Sequence, residues 1–145
     1  MKYINDFTIS AGLNPFSGTH IFERTNIPSN ALDIFAQNGV IESDLSEINP
    51  GVAILSGIFT NPDNGFIQEI SIKMFPMSDP SFEKEIFYHN QIPQNSSGDL
   101  PLIGTLVNTK DFLVEETFGI KVELRLRDFS PESVEMRLDF SFFAR

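Results

Sequence analysis

From Phe118 to Arg145 the chain alternates apolar and polar residues almost without a break. Ile120, Val122, Leu124 and Leu126 are interleaved with Lys121, Glu123, Arg125 and Arg127. After Ser130-Pro131-Glu132, Val134, Met136, Leu138, Phe140 and Phe142 are interleaved with Glu135, Arg137, Asp139 and Ser141. A period of two is the pattern of a half-buried strand, because successive side chains point to opposite faces. Two such segments in succession predict a C-terminal β-hairpin whose apolar face supplies much of the core.

Charge selects a register for that hairpin. Leu126 opposite Val134 sets Arg125 against Glu135, Glu123 against Arg137 and Lys121 against Asp139. A slip of two residues in either direction brings like charges together. Cross-strand pairs are worth roughly 0.2–1 kcal/mol each, and like charges cost a similar amount. A slip of one residue turns every apolar side chain to water. The charges on these strands are therefore read as a solvated face that sets register.

The 145 residues are expected to form one domain, residues 1–145, with roughly 68–70% of the unfolded surface buried. There is no cysteine, which excludes disulfides, thiolate metal sites and cysteine nucleophiles. No apolar run is long enough to cross a bilayer as a helix. The opening Met-Lys-Tyr-Ile-Asn-Asp-Phe has no signal-peptide core. If the natural protein is exported, its leader has been removed and Met1 stands in its place.

The net charge is −10, unevenly placed. Between Arg24 and Lys73 there is no Lys or Arg, while Asp33, Glu42, Asp44, Glu47, Asp63 and Glu69 fall inside. Such a chain repels phosphate backbones and anionic lipid, so neither nucleic acid nor a membrane is the expected partner. The aromatic set is fifteen Phe, two Tyr and no Trp. Phe fills cores, whereas sugar platforms use Trp or Tyr faces.

Taken in order, Tyr3 to Ser10 and His20 to Thr25 read as strands, joined through a turn-rich connection of Gly12, Asn14-Pro15 and Ser17-Gly18. Ser29 to Gly39 is the one clear helix. Ser29 is its N-cap, Leu32, Phe35 and Ala36 its apolar face, and Gly39 its left-handed terminator. Ile41 to Ile48 reads equally as a helical turn or an irregular strand. Asn49-Pro50-Gly51 is a turn. Val52 to Thr60 is a nearly unbroken apolar run and reads as a buried strand. The turn Asn61-Pro62-Asp63-Asn64-Gly65 then leads into Phe66 to Phe75, giving a second expected hairpin. A further strand is centred on Glu85 to Tyr88. Asn90 to Pro101 reads as a long, mobile surface loop. Leu102 to Val114 is either a short helix or an edge strand. About seven strands separated by turns point to an antiparallel β-sandwich, immunoglobulin-like first and jelly roll second, with one short helix near residues 30–38.

Catalytic constellations are absent from the pattern. His20 and His89 stand about 70 residues apart with no third ligand at zinc spacing. There is no GxSxG elbow and no phosphate-binding glycine loop. No catalytic residue, cofactor or metal is assigned. Asn61 and Asp63, in an oxygen-rich turn, are candidate calcium ligands, although the loop lacks the regular spacing and terminal Glu of a calcium loop. Asn95-Ser96-Ser97 matches a glycosylation sequon in an expected loop. Candidate partner-binding residues are Tyr88, Asn90 and Gln91 beside the long loop, and Asp33, Glu42 and Asp44 in the acidic block.

Over its whole length the chain resembles the mature β-sandwich domains of uncharacterised bacterial cell-envelope lipoproteins. The resemblance rests on no specific motif and carries over no functional residue. It implies a non-catalytic binding or assembly module, an accessory subunit of a cell-envelope or secreted complex with a protein partner. The alternatives are a carbohydrate-binding module near Tyr88 and the structural subunit of a larger assembly.

Overall fold

A computed structural model describes residues 1–145. The fold is all-β: eight antiparallel strands in one sheet, rolled nearly into a barrel, with one helix of more than a single turn. The strands are β1 (Lys2–Ile9), β2 (His20–Pro28), β3 (Ile48–Gly57), β4 (Ile67–Pro76), β5 (Lys84–His89), β6 (Leu100–Gly104), β7 (Thr117–Leu126) and β8 (Val134–Ala144). They lie in the order β1-β8-β3-β6-β5-β4-β7-β2. Two short pairings, Phe87 with Gly104 and Tyr88 with Ile103, join the halves β1-β8-β3-β6 and β5-β4-β7-β2. On the other side β1 and β2 share no ladder, and the Phe7 and Phe22 rings, 5.0 Å apart, close the seam.

The period-two faces are as the sequence predicts, but the neighbours are not. Every apolar residue named in the last two strands is buried. Yet β7 pairs with β2 and β4, and β8 pairs with β1 and β3. The expected C-terminal hairpin does not exist. Nor does the hairpin of β3 with β4, whose partners also lie in different halves. In both cases the chain turns a corner from one half to the other. Two apolar strand faces then meet across the core instead of side by side, which buries both. The corner from β7 to β8 is held by other loops: the Arg127 N–H donates to Phe66 O (2.9 Å), and the Ser130 hydroxyl donates to Ser10 O (2.6 Å).

The charges found other partners. Arg125 stands opposite Glu69 and Arg137 opposite Asp6. Asn49-Pro50-Gly51 is not a turn but part of β3, where the register slips between Pro50 and Ala53. Proline has no N–H to give a ladder, and a bulge is where a strand tolerates it. Leu102 to Val114 holds both a strand and a helix: β6 ends at Gly104 and lies between β3 and β5 rather than at an edge, and α2 (Lys110–Leu113) follows.

The expected helix is α1 (Ala31–Gln37). Its N-cap is Asn30 at φ 54, with no side-chain cap bond. Ser29 acts one residue earlier: its hydroxyl accepts from Ala31 N–H (3.3 Å) and donates to Leu113 O. Gly39, at φ +73, closes the helix as expected. The inward face is Ala31, Ile34 and Phe35, while Leu32 and Ala36 are exposed. A helix of this length takes its rotation from what it packs against.

One core of 29 buried residues draws on every strand. Loops β1–β2, β3–β4, β5–β6 and β7–β8 gather at one end, and α1, α2 and both termini at the other. No helix is long and apolar enough to cross a membrane.

Candidate functional site

The four-loop end contains a polar basin of about 430 Å³, lined by Asp63, Gln94, Arg127 and Phe129 among others. Its polar groups already serve the loops. Arg127 donates to Gly65 O (3.1 Å) and to Ile92 O (2.6 Å). The Asp63 carboxylate accepts from Gly65 N–H (2.8 Å), an Asx turn. Asn64 donates from its backbone to Ser96 O (2.9 Å) and from its side chain to Gly98 O (2.8 Å). The segment 90–101 is therefore stitched to the β3–β4 loop. Its polar composition suggested mobility, but Ile92 is fully buried and Asp63 bridges to Ser97. This end is a locked junction of loops.

The outer face of β5-β4-β7-β2 is laced with ion pairs. Lys73 meets Glu123 (3.0 Å) and Glu83 (3.6 Å), Lys121 meets Glu83 (2.8 Å), and Arg125 meets Glu69 (3.4 Å). The Lys121 ammonium holds the Glu83 carboxyl below the usual carboxylate range. In return Glu123 raises Lys73, and Glu83 raises Lys121. Charges satisfied within the sheet leave little for a ligand.

The outer face of β1-β8-β3-β6 is different. Strand alternation predicts polar residues on a solvated face. Here one row reads Ile4, Asp139, Ile54, Pro101 across the four strands. Ile4 is 52% exposed, Val52 65%, Ile54 36% and Ile103 53%. The bulge after Pro50 carries Val52 outward, and its N–H donates to the Ser141 hydroxyl (3.0 Å). Beside Val52 and Ile54 lies a depression of about 490 Å³, bordered also by Lys2, Asp139 and Ser141. Arg137 and Asp6 form a two-point ion pair at 2.9 and 3.0 Å beside it. Lys2 and Asp139, both exposed, make no ion pair.

The residues singled out from sequence do not converge. Tyr88 lies half-buried on β5 between Ser71 and Ile103. Asn90 and Gln91 are exposed at the four-loop end. Asp33 on α1, with Glu42 and Asp44 on a single 3-10 turn, stands at the opposite end. Asp44 accepts from Ile41 N–H (3.2 Å) and so caps its own turn. Of the calcium candidates, Asp63 is committed to its Asx turn. No three His, Asp or Glu side chains converge as metal ligands. The two histidines sit at opposite edges of one half, His20 against Asn14 O (2.8 Å) and His89 against Pro101 O (3.0 Å).

The apolar face was not foreseen as a site, yet it carries a sequence signal. Val52-Ala53-Ile54-Leu55 is apolar at every position, the pattern of a strand covered on both sides. Within this chain only Ala53 and Leu55 are covered. No family model matches the chain, and no curated protein matches it.

Proposed function

We propose that this chain is a non-catalytic binding or assembly module, an accessory subunit of a cell-envelope or secreted complex, and that it docks through the outer face of β1-β8-β3-β6. One observation carries the reading: β3 is built as a doubly covered strand, and its outer half has no cover within the chain. Contiguous exposed apolar surface on an otherwise charged protein marks an interaction site. The strand order supports a jelly-roll arrangement of β1-β8-β3-β6 over β2-β7-β4-β5, the second of the two sandwich types expected from sequence. A jelly roll offers two broad outer faces. Here one is laced with ion pairs, and the other exposes Ile4, Val52, Ile54 and Ile103 among fewer charges.

Carbene footprinting tests the reading. The protein in gently prepared extract of its source organism is compared with the recombinant chain at nanomolar concentration. Protection of Ile4, Val52, Ile54 and Ile103 in the extract is the expected result. Equal labelling in both samples overturns it.

A further inference from the structure

The proposed docking reading leaves the occupant open, and the inference here rests on that reading. We infer that the occupant is a second copy of this chain, the two copies packing face to face about a two-fold axis that passes through the depression between Lys2 and Asp139.

Charge is the first argument. Each chain carries −10, so two copies repel one another over most approaches. The outer face of β5-β4-β7-β2 presents Glu23, Glu69, Glu83, Glu85 and Glu123 against Lys73, Lys121 and Arg125, and stays acidic. On the apolar face Asp6 and Arg137 cancel each other. Glu135 stands farther along β8 on the same face, while the rim of the depression itself carries one unpaired cation and one unpaired anion, Lys2 and Asp139.

Symmetry is the second argument. A two-fold interface is self-complementary: if residue i of one copy meets residue j of the other, then j also meets i. One unpaired positive and one unpaired negative group flanking an apolar centre fit that rule. Lys2 of each copy faces Asp139 of the other, while Ile4, Val52 and Ile54 pack against their counterparts. The rim of the depression carries no net charge for a strongly basic or acidic partner to recognise.

Size is the third. The four strands contain eight, eleven, ten and five residues. At about 3.4 Å along and 4.8 Å across per residue they offer about 550 Å² in projection. The accessible area of projecting side chains exceeds its projection. The face thus approaches the ~800 Å² per partner of a stable interface.

The test uses charge reversal on the full chain, followed by sedimentation velocity. Lys2→Asp and Asp139→Lys both lie at exposed positions, and circular dichroism checks their folding. Wild type is expected to dimerise reversibly with concentration. Each single variant is expected to weaken the dimer at least tenfold, because like charges then meet twice. An equimolar mixture of the two variants is expected to restore it, since both contacts become attractive in the mixed pair. Val52→Asp should abolish dimerisation.

A wild type that stays monomeric at millimolar concentration overturns the inference. So does a mixture that associates no better than its components. If the recombinant chain is monomeric while the face is still protected in extract, the docking reading stands and its partner is another protein. Absence of protection as well removes both.

Discussion

Lys73 and Lys121 stand directly opposite each other on β4 and β7, and Glu83, from the β4–β5 loop, reaches both. Two like charges at a cross-strand position are destabilising unless something lies between them. Glu83→Gln removes one of the two carboxylates that serve the pair, leaving Glu123 on Lys73 alone. The expected cost at pH 7 is about 0.5–1 kcal/mol, shrinking in molar salt. The pH dependence follows from the direction of each shift. Glu83 is held below its ordinary value, so its contribution is present above that value and lost as pH falls through the lowered one. Lys73 and Lys121 are raised, so theirs is present below the ordinary lysine value and lost as pH rises past it. Urea melts from acid to neutral pH should show a flatter acid limb for the variant than for wild type. Parallel limbs would mean that Glu83 is not coupled to the lysines.

Gly119 on β7 lies beneath the Phe75 ring of β4, its cross-strand partner. A Cβ added at Gly119 collides with that ring, and Lys121 covers it from the side, 5.4 Å from its centroid. Gly119→Ala is expected to cost about 1–3 kcal/mol through overpacking. Phe75→Leu in the Gly119→Ala background should recover part of that loss, although Phe75→Leu alone destabilises. A double variant no more stable than Gly119→Ala would show that the clash lies elsewhere.

These two relationships show what the chain disclosed and what it withheld. Alternation told which side chains face inward, because facing is a property of one strand. It could not tell which strands are neighbours. Arg125, Glu123 and Arg137 each have an opposite-charge partner in the expected hairpin, and each finds one equally good elsewhere: Glu69, Lys73 and Asp6. Local charge patterning is degenerate in that sense. The pairing was decided by how two apolar faces close over a common core. Pro50 marked a break in sequence and became a bulge, since the β8 ladder at Asn49 before it and at Ala53 after it held the chain extended. The candidate face was half legible. The run Val52 to Leu55 announced a strand needing two covers, but only the fold reveals that one is missing.

Arg127 clips two loops with one guanidinium, donating to Gly65 O and Ile92 O. Hydrogen bonds from charged groups are worth roughly 1.5–3 kcal/mol when partly buried. Arg127→Ala should therefore cost about 2 kcal/mol and accelerate hydrogen exchange in residues 62–66 and 90–99. Arg127→Lys should recover little, because an ammonium lacks the fork that spans both carbonyls. Unchanged exchange in those segments would mean that the Asn64 bonds alone hold the junction.

Tyr3 ties β1 to the end of the fold where both termini lie. Its hydroxyl donates to Ser29 O (2.6 Å), and its ring packs on Phe118 and Phe140 at 5.2 and 5.4 Å. Ser29 in turn bonds Leu113 and Glu116, so one phenol steadies the entries to α1 and β7. Burial raises the Tyr3 phenol above its ordinary value. The unfolded chain then ionises first, near pH 10. The stability this provides is complete below that pH and drains as pH rises through the raised value. Tyr3→Phe should cost about 1 kcal/mol at neutral pH, through the lost hydrogen bond and the unsatisfied Ser29 carbonyl. It should also lose less stability than wild type between neutral pH and pH 10.5, since it has no proton to release there. Urea melts at the two pH values measure both effects. Equal alkaline losses in the two proteins would assign the alkaline limb to Lys73 and Lys121 alone.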